Sequence, residues 1–172
     1  MAKHVAGRFK EVIYVQFEPF EDLMKGIKQV IVERRIKTGL VLSITGGLVK
    51  ARMSYFPNAG PLEYTAIKVY DIPGPLEASG HGVIGTTEKD GSPYVHVHLD
   101  VTNGNHAIMG HLEEGTIVRS LIPRSHFTIA MASVEGVSFK LCEDKKLSRA
   151  NPDRFPVGAL YHELSELTGR TK

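Results

Sequence analysis

Hydrophobic positions recur at two different periods along this chain. Between residues 20 and 37 they recur every three to four residues, which is the period of an amphipathic helix. The apolar series is Leu23, Ile27, Val30 and Ile31. We therefore predict one clear helix over residues 20–37, opened by Pro19 and followed by Gly39 as its C-cap.

Elsewhere, short runs of β-branched and aromatic residues predict strands. These runs are residues 12–17, 40–44, 49–55, 64–70, 76–85, 94–101, 107–112, 116–121 and 127–134. Turn signals rich in glycine and proline separate several of them, at residues 45–47, 57–61 and 73–75. One early helix followed by hairpins predicts an α+β fold in which one main helix packs against a mainly antiparallel β-sheet.

The C-terminal part of the chain changes in character. Residues 143–156 are charged and contain two prolines, which is typical of a surface loop. Leu160, Leu164 and Leu167 then fit a short amphipathic helix. We predict a domain over residues 1–141, with residues 142–172 forming a loop and a short helix packed on the body or on a neighbouring subunit.

Composition narrows the class of protein. Of the 172 residues, 42% are hydrophobic and 23% are charged, which is a globular composition. The chain has 21 lysine and arginine residues and 19 aspartate and glutamate residues. The resulting net charge of +2 is too small to indicate a nucleic-acid-binding protein. A single cysteine, Cys142, excludes an internal disulfide. With no apolar run long enough to span a bilayer, we expect a cytoplasmic protein without membrane association.

The chemistry of the sequence concentrates in the predicted strand 94–101. Strict alternation places Val95, Val97, Leu99 and Val101 on one face. The other face carries His96, His98 and Asp100. The Cα atoms of the two histidines lie roughly 6.5–7 Å apart along such a strand, a separation that lets both imidazoles reach one metal ion.

Two predicted turns bring further histidines to this face. Asn103-Gly104 favours a two-residue hairpin turn that pairs Thr102 with Asn105 and so sets His111 opposite His96. Asp90-Gly91 favours a second such turn, which sets His81 opposite Asp100.

The remaining four histidines lack such an arrangement. The same pairing puts His106 on the apolar face, while His4, His126 and His162 are interpreted as surface or structural residues.

Three imidazoles make a plausible zinc site with a position open for water or substrate. Nickel, iron and copper also accept nitrogen ligands, so the pattern does not choose among them. His81 and Asp100 are candidates for a fourth ligand or for orienting a ligand imidazole. Glu113 and Glu114 are the nearest candidate bases. Histidines that only face solvent or bond one another, with no metal, remain an equal alternative at this point.

Several short motifs resemble the plants-and-prokaryotes conserved (PPC) domain family over roughly residues 12–134. They are the helix leading into Gly39-Leu-Val-Leu-Ser-Ile-Thr-Gly-Gly47, then Gly74-Pro-Leu-Glu-Ala-Ser-Gly80, Asp90-Gly91 before Val95-His-Val-His98, and Gly110-His111-Leu112. The resemblance implies a small α+β domain with a major antiparallel sheet, assembled as a homotrimer. It also implies, as in some prokaryotic members, a metal bound at the positions of His96, His98 and His111.

Two departures from the family pattern affect the function. Plant relatives carry an AT-hook, whose Arg-Gly-Arg core enters the DNA minor groove, and this sequence contains no Arg-Gly-Arg. His81 stands where relatives have a polar residue that does not bind metal. A site that differs from that of the relatives is therefore an alternative.

Three hypotheses follow from the sequence. The first is a homotrimer that binds a divalent metal, zinc by preference, and acts as a hydrolase or lyase on a small anionic substrate if it is an enzyme. The second is a DNA-associated transcriptional regulator without an AT-hook. The third is a trimeric scaffold whose histidines only pack.

Overall fold

The computed structural model describes residues 2–55, 67–104, 106–119, 126–150 and 158–167. In chain order, the elements within these ranges are β1 (Arg8–Gln16), α1 (Leu23–Glu33), β2 (Gly39–Tyr55), β3 (Lys68–Thr87), β4 (Pro93–Thr102), β5 (Ala107–Leu112), β6 (Ile117–Val118), β7 (Thr128–Glu135), β8 (Val137–Glu143), α2 (Lys145–Ala150) and β9 (Leu160–Glu166). No helix among these residues is long and apolar enough to cross a membrane.

The body of the protein is one sheet, in the order β1-β7-β2-β5-β4-β3-β8-β9, with β6 paired to β2. Its pairings are antiparallel except for β3–β8. Because the long strands β2 and β3 also pair directly, the segment β2-β5-β4-β3 closes on itself. The predicted architecture of one main helix on a mainly antiparallel sheet is right in outline, but the fold is mainly β.

Helix α1 begins with a cap that also ties it to the sheet. The Asp22 carboxylate accepts hydrogen bonds from the backbone N–H of Lys25 (3.1 Å) and of Gly115 (2.7 Å). One side chain thereby satisfies a helix N-terminus and fixes the loop after β5. The apolar stripe is buried against the sheet, with Leu23, Met24, Ile27 and Ile31 as its members.

The helix ends earlier than the sequence pattern predicts. It stops at Glu33, and the left-handed residue that turns the chain is Arg35, with φ 53°. The prediction of Gly39 as the C-cap is wrong, because Gly39 begins β2. A Cβ at Gly39 would lie 2.4 Å from the carbonyl oxygen of Ala132, so this glycine allows two strands to approach closely.

Two of the predicted turns lie inside strands. Residues 45–47 and 73–75 belong to β2 and β3, where Thr45 to Gly47 face Ser79 to Glu77. The register shifts between Leu48 and Lys50, and a Cβ at Gly74 would lie 2.3 Å from the Val49 carbonyl oxygen. These glycines therefore accommodate a bulge between two long strands and do not reverse the chain. The predicted turn at 57–61 lies outside the described residues, as do 64–66 and 120–121 of two predicted strands.

The C-terminal part is extended where a helix was predicted. Residues Leu160–Glu166 form β9, whose backbone pairs antiparallel with β8. Pairing with the free edge of β8 outweighs the weak helical spacing of Leu160, Leu164 and Leu167. The predicted loop 143–156 contains the short helix α2, and its residues 151–156 lie outside the description. The division of the chain at residue 141 stays a prediction.

Candidate metal centre

Strand β4 has the two faces that its alternation predicts. Val97, Leu99 and Val101 are buried in the core, at 2% exposure or less. His96 and His98 lie on the opposite face and are half-buried. A buried face fixes which side of the strand is which, because a slip of one residue would expose the apolar set.

The predicted hairpin registers are wrong by two residues at both turns. His111 lies opposite His98 and not opposite His96. His81 also lies opposite His98 and not opposite Asp100. The cause is loop length, because each connection is two residues longer than predicted. Thr102 pairs with Ala107 in place of Asn105, and Ser92 is bonded through its carbonyl to the N–H of Thr87 (2.9 Å) in place of pairing with Lys89.

The cluster survives this error because a shift of two residues preserves the face of a strand. The ring centroids of His96 and His98 are 5.0 Å apart, those of His96 and His111 4.6 Å, and those of His98 and His111 4.9 Å. One nitrogen from each ring lies within 4.8 Å of the other two. Among the described residues, these three side chains form a group able to hold a metal ion.

The surroundings of two of these imidazoles favour the neutral form. Burial, and then repulsion from His111, His98 and His162, lower the pKa of His96 to about 4. Burial and His98 also lower the pKa of His111, against an opposing effect of Glu113. Neutral imidazole is the form that ligates a metal.

The unpartnered nitrogen of His96 also fits a metal. The Nε2 atom of His96 is buried and has no hydrogen-bond partner among the described residues. A buried polar atom without a partner is costly, and a cation would satisfy it. Three imidazole donors, one of them with this unpartnered nitrogen, form a donor set that matches a divalent transition metal.

Two predicted auxiliary residues stand apart from this group. His81 is exposed, with its ring 6.3 Å from that of His98. Asp100 lies beside Ser79 and Met109 in the neighbouring strands, and within the described ranges it makes no hydrogen bond to a histidine. Their assignment as a fourth ligand or an orienting group stays a prediction that this geometry does not favour.

The two candidate bases have different surroundings. Glu113 accepts a hydrogen bond of 2.6 Å from the hydroxyl of Ser54, which is buried and lies opposite His111. Glu114 is exposed and forms an ion pair with Lys28 at 2.7 Å, and this bond lowers the pKa of Glu114. Glu113 is therefore held beside the histidines, whereas Glu114 is bound to helix α1.

Sequence reasoning missed His162, which β9 brings to the cluster. Its ring centroid is 5.6 Å from that of His96, and its Nε2 lies 3.1 Å from the Tyr94 hydroxyl. Burial lowers its pKa as well. The alternation of Leu160, His162 and Leu164 carried the signal of a strand, but the same leucines also fit a helix.

The remaining histidines lie away from the centre. His4 and His126 are exposed, as predicted. His106 is also exposed, in the β4–β5 loop, so its predicted place on the apolar face is wrong. The reason is again the four-residue turn, which removes His106 from the paired part of the hairpin.

Cys142 is buried in β8, at 2% exposure. Burial first, and then Glu88 and Glu163, raise the pKa of its thiol. These conditions keep the thiol protonated and inert.

A pocket of about 460 Å³ opens beside the cluster. His96 and His111 line it together with Lys28, Arg52, Glu113 and Glu114. It forms where β5 leaves β4: the last pair of the hairpin is His98 with His111, and Leu112 pairs with Met53 of β2 instead.

Comparisons with known proteins place this geometry in context. The model of the Plants and Prokaryotes Conserved (PCC) domain matches residues 4–123, a range that holds the three clustered histidines but not His162. No curated protein matches the chain.

Solved structures share the fold. A metal-containing protein from Archaeoglobus fulgidus is 18% identical over 84% of this chain and 94% of its own, with a TM-score of 0.67. A plant- and prokaryote-conserved (PPC) protein from Pyrococcus horikoshii is 21% identical over 81% and 90%, with a TM-score of 0.64. A candidate DNA-binding protein from Bacteroides thetaiotaomicron is 16% identical over 91% and 96%, with a TM-score of 0.66. At such low identity these likenesses establish the fold alone.

Proposed function

Because this chain belongs to the Plants and Prokaryotes Conserved (PCC) domain family, we propose that it is a divalent-metal-binding protein whose ligands are His96, His98 and His111. The observation that carries the proposal is the convergence of three imidazoles, one with a buried unpartnered nitrogen. Zinc is the proposed cation, since three imidazoles and an open position are typical of catalytic zinc sites. The similarly folded Archaeoglobus protein is also metal-containing.

The proposed chemistry is a hydrolytic or lyase step on a small anionic substrate. When bound, the cation would supply Lewis-acid chemistry at its open position. Glu113 would accept or return a proton, because Ser54 fixes its carboxylate beside His111. Glu114 would contribute less to proton transfer while it is engaged by Lys28. The single cysteine, buried and without a partner for a disulfide, is consistent with the proposed cytoplasmic location.

Metal content tests this function directly. We expect untagged protein, purified without added metal, to hold about one equivalent of zinc or another transition metal per chain by elemental analysis. Chelation should lower the melting temperature, because a ligand at a hundred times its Kd stabilises the folded state by about 2.7 kcal/mol.

The scaffold hypothesis predicts the opposite result. Protein without metal after incubation with Zn²⁺, and with a melting temperature unchanged by chelator, would contradict the proposed function. The histidines would then only pack against one another.

We also propose that the protein assembles as a homotrimer, and an apolar sheet face supports this. A bulge in β1 aligns Phe9, Val12 and Tyr14 on one face, where they are 55%, 49% and 78% exposed. Exposed apolar surfaces of this kind mark interaction sites. Directly opposed residues share a face, and the pairs Val12–Ala132, Ala132–Leu40, Leu40–Val83 and Val83–His96 extend this one to the histidines.

Changing Tyr14 to aspartate should dissociate the assembly, because the interface would have to bury an unpaired charge. Light scattering should give the mass of three chains for the wild type and of one chain for this variant. Tyr161→Asp is the matched control, since Tyr161 is 48% exposed on the distant strand β9. A wild-type protein with the mass of a single chain would contradict the trimer.

A DNA-associated regulator remains the alternative, and the described surface does not favour it. The Bacteroides relative is a candidate DNA-binding protein, but several cations here are already paired with carboxylates. The pairs are Arg8–Glu135, Lys28–Glu114, Arg34–Glu11, Lys50–Asp71 and Arg52–Asp71.

A further inference from the structure

We propose that the pocket beside the three histidines binds a small carboxylate with an apolar tail, and that Arg52 and Lys28 hold its carboxylate. This inference rests on the proposed function, because the bound cation supplies the charge that selects an anion. It adds to that function a binding site and a class of ligand.

The charges of the pocket set the order of binding. Lys28 and Arg52 are balanced by Glu113 and Glu114, so the lining is formally neutral while the imidazoles are neutral. A divalent cation on the histidines leaves an excess of two positive charges. An anion is therefore attracted to the loaded pocket and not to the empty one.

Arg52 has donors to spare for a ligand. Its Nη1 atom contacts both carboxylate oxygens of Asp71, at 3.1 and 3.5 Å. In the described part of the chain, Nε and Nη2 make no hydrogen bond, and they form the fork that fits a carboxylate in two parallel bonds. The Asp71 pair is exposed, so exchange with a ligand carboxylate costs little.

Lys28 approaches the same pocket from α1. Its ammonium group bonds Glu114 at 2.7 Å and can donate more than one hydrogen bond. The pair is about half exposed on both sides, which leaves the ammonium accessible to a ligand. The cationic side chains of Lys28 and Arg52, one on α1 and one on β2, therefore border the site. The third side of the site is formed by histidines.

The rest of the lining is apolar. Val69, which is 51% exposed, and the partly buried Val95 offer aliphatic surface, and the buried Met24, Val97 and Leu112 lie behind them. These aliphatic side chains lie next to the charged groups, so a ligand that spans both carries a charged end and a small aliphatic group. The ligand class is therefore a short carboxylate with an oxygen donor for the cation and an aliphatic tail.

Calorimetric titration with 3-methyl-2-oxobutanoate tests this site. The acid offers a carboxylate, a keto oxygen and a branched tail, and 3-methylbutan-2-one is the matched ligand without the carboxylate. We expect the acid to bind zinc-loaded protein, to bind zinc-free protein far more weakly, and to bind better than the ketone.

The Arg52→Gln variant separates this site from the metal site. We expect affinity for the acid to fall roughly ten- to hundred-fold, as for the loss of hydrogen bonds to a charged group, with zinc content unchanged. Arg8→Gln is the control, because it removes an arginine from an exposed ion pair with Glu135 elsewhere. The Arg52→Gln variant should fold, because the hydrogen bonds of residue 52 to Thr116 and Glu113 are made by its backbone.

The possible failures are distinguishable. Zinc-loaded protein that does not bind the acid, that binds acid and ketone equally, or that is insensitive to Arg52→Gln overturns this inference alone. Wild-type protein that does not retain zinc overturns the proposed function and this inference with it.

Discussion

Replacing His111 with alanine should reduce the metal content of the purified protein from about one equivalent per chain to near zero, since two imidazoles on one strand do not complete a zinc site. His111 comes from β5, whereas His96 and His98 both come from β4. Its loss leaves the β4–β5 pairing intact, so the variant should keep the wild-type fold.

A control variant distinguishes the loss of a metal ligand from the loss of any one histidine. His106→Ala removes a histidine that is exposed in the adjacent loop, and it should retain the full equivalent. Elemental analysis and circular dichroism of both variants decide the matter. Unchanged metal content in folded His111→Ala protein would rule out this residue as a ligand.

Replacing Phe17 with alanine should lower the free energy of unfolding by about 3–5 kcal/mol, the usual cost of removing a buried phenylalanine. Phe17 is 1% exposed and meets Phe127 edge to face, with ring centroids 5.9 Å apart. It also fills the space over Gly26, where a Cβ would lie 2.3 Å from the Phe17 ring. The loss therefore leaves a cavity under helix α1, which carries Lys28.

Urea denaturation of zinc-free protein measures this effect without a contribution from the metal site. Phe20→Ala is the matched control, because Phe20 lies only three residues further on and is 70% exposed. Its free energy of unfolding should change by less than about 0.5 kcal/mol. A loss below about 1 kcal/mol for Phe17→Ala would mean that the core closes over the vacated space.

The alternation of apolar and polar residues in strand β4 was the most reliable basis for predicting the site from the sequence. Val97, Leu99 and Val101 had to face the core, so His96 and His98 had to share the other face. Whether His111 shares this face depended only on whether the β4–β5 loop has an even or an odd number of residues. The assumed turn was two residues too short, yet the parity, and with it the cluster, was correct.

Glycine was the least reliable signal. Residues 45–47 and 73–75 looked like turns because glycine and proline are common there, but both segments lie within long paired strands. A glycine that permits close approach of two backbones has the same local pattern as one that permits a turn. Only the partner strand distinguishes the two, and local sequence does not contain it.

The sequence by itself determined the centre of helix α1, the two faces of β4 and the grouping of the three histidines, because these depend on short-range periodicity and on the parity of one turn. The tertiary structure decided which distant segments of the chain meet. It pairs β9 with β8, which brings His162 to His96, and it bonds Glu113 to Ser54 and Glu114 to Lys28. It also formed the pocket, since β5 leaves β4 to pair with β2. Hydrogen bonds between distant segments made these choices, and they outweigh the weak local preferences that a sequence pattern records.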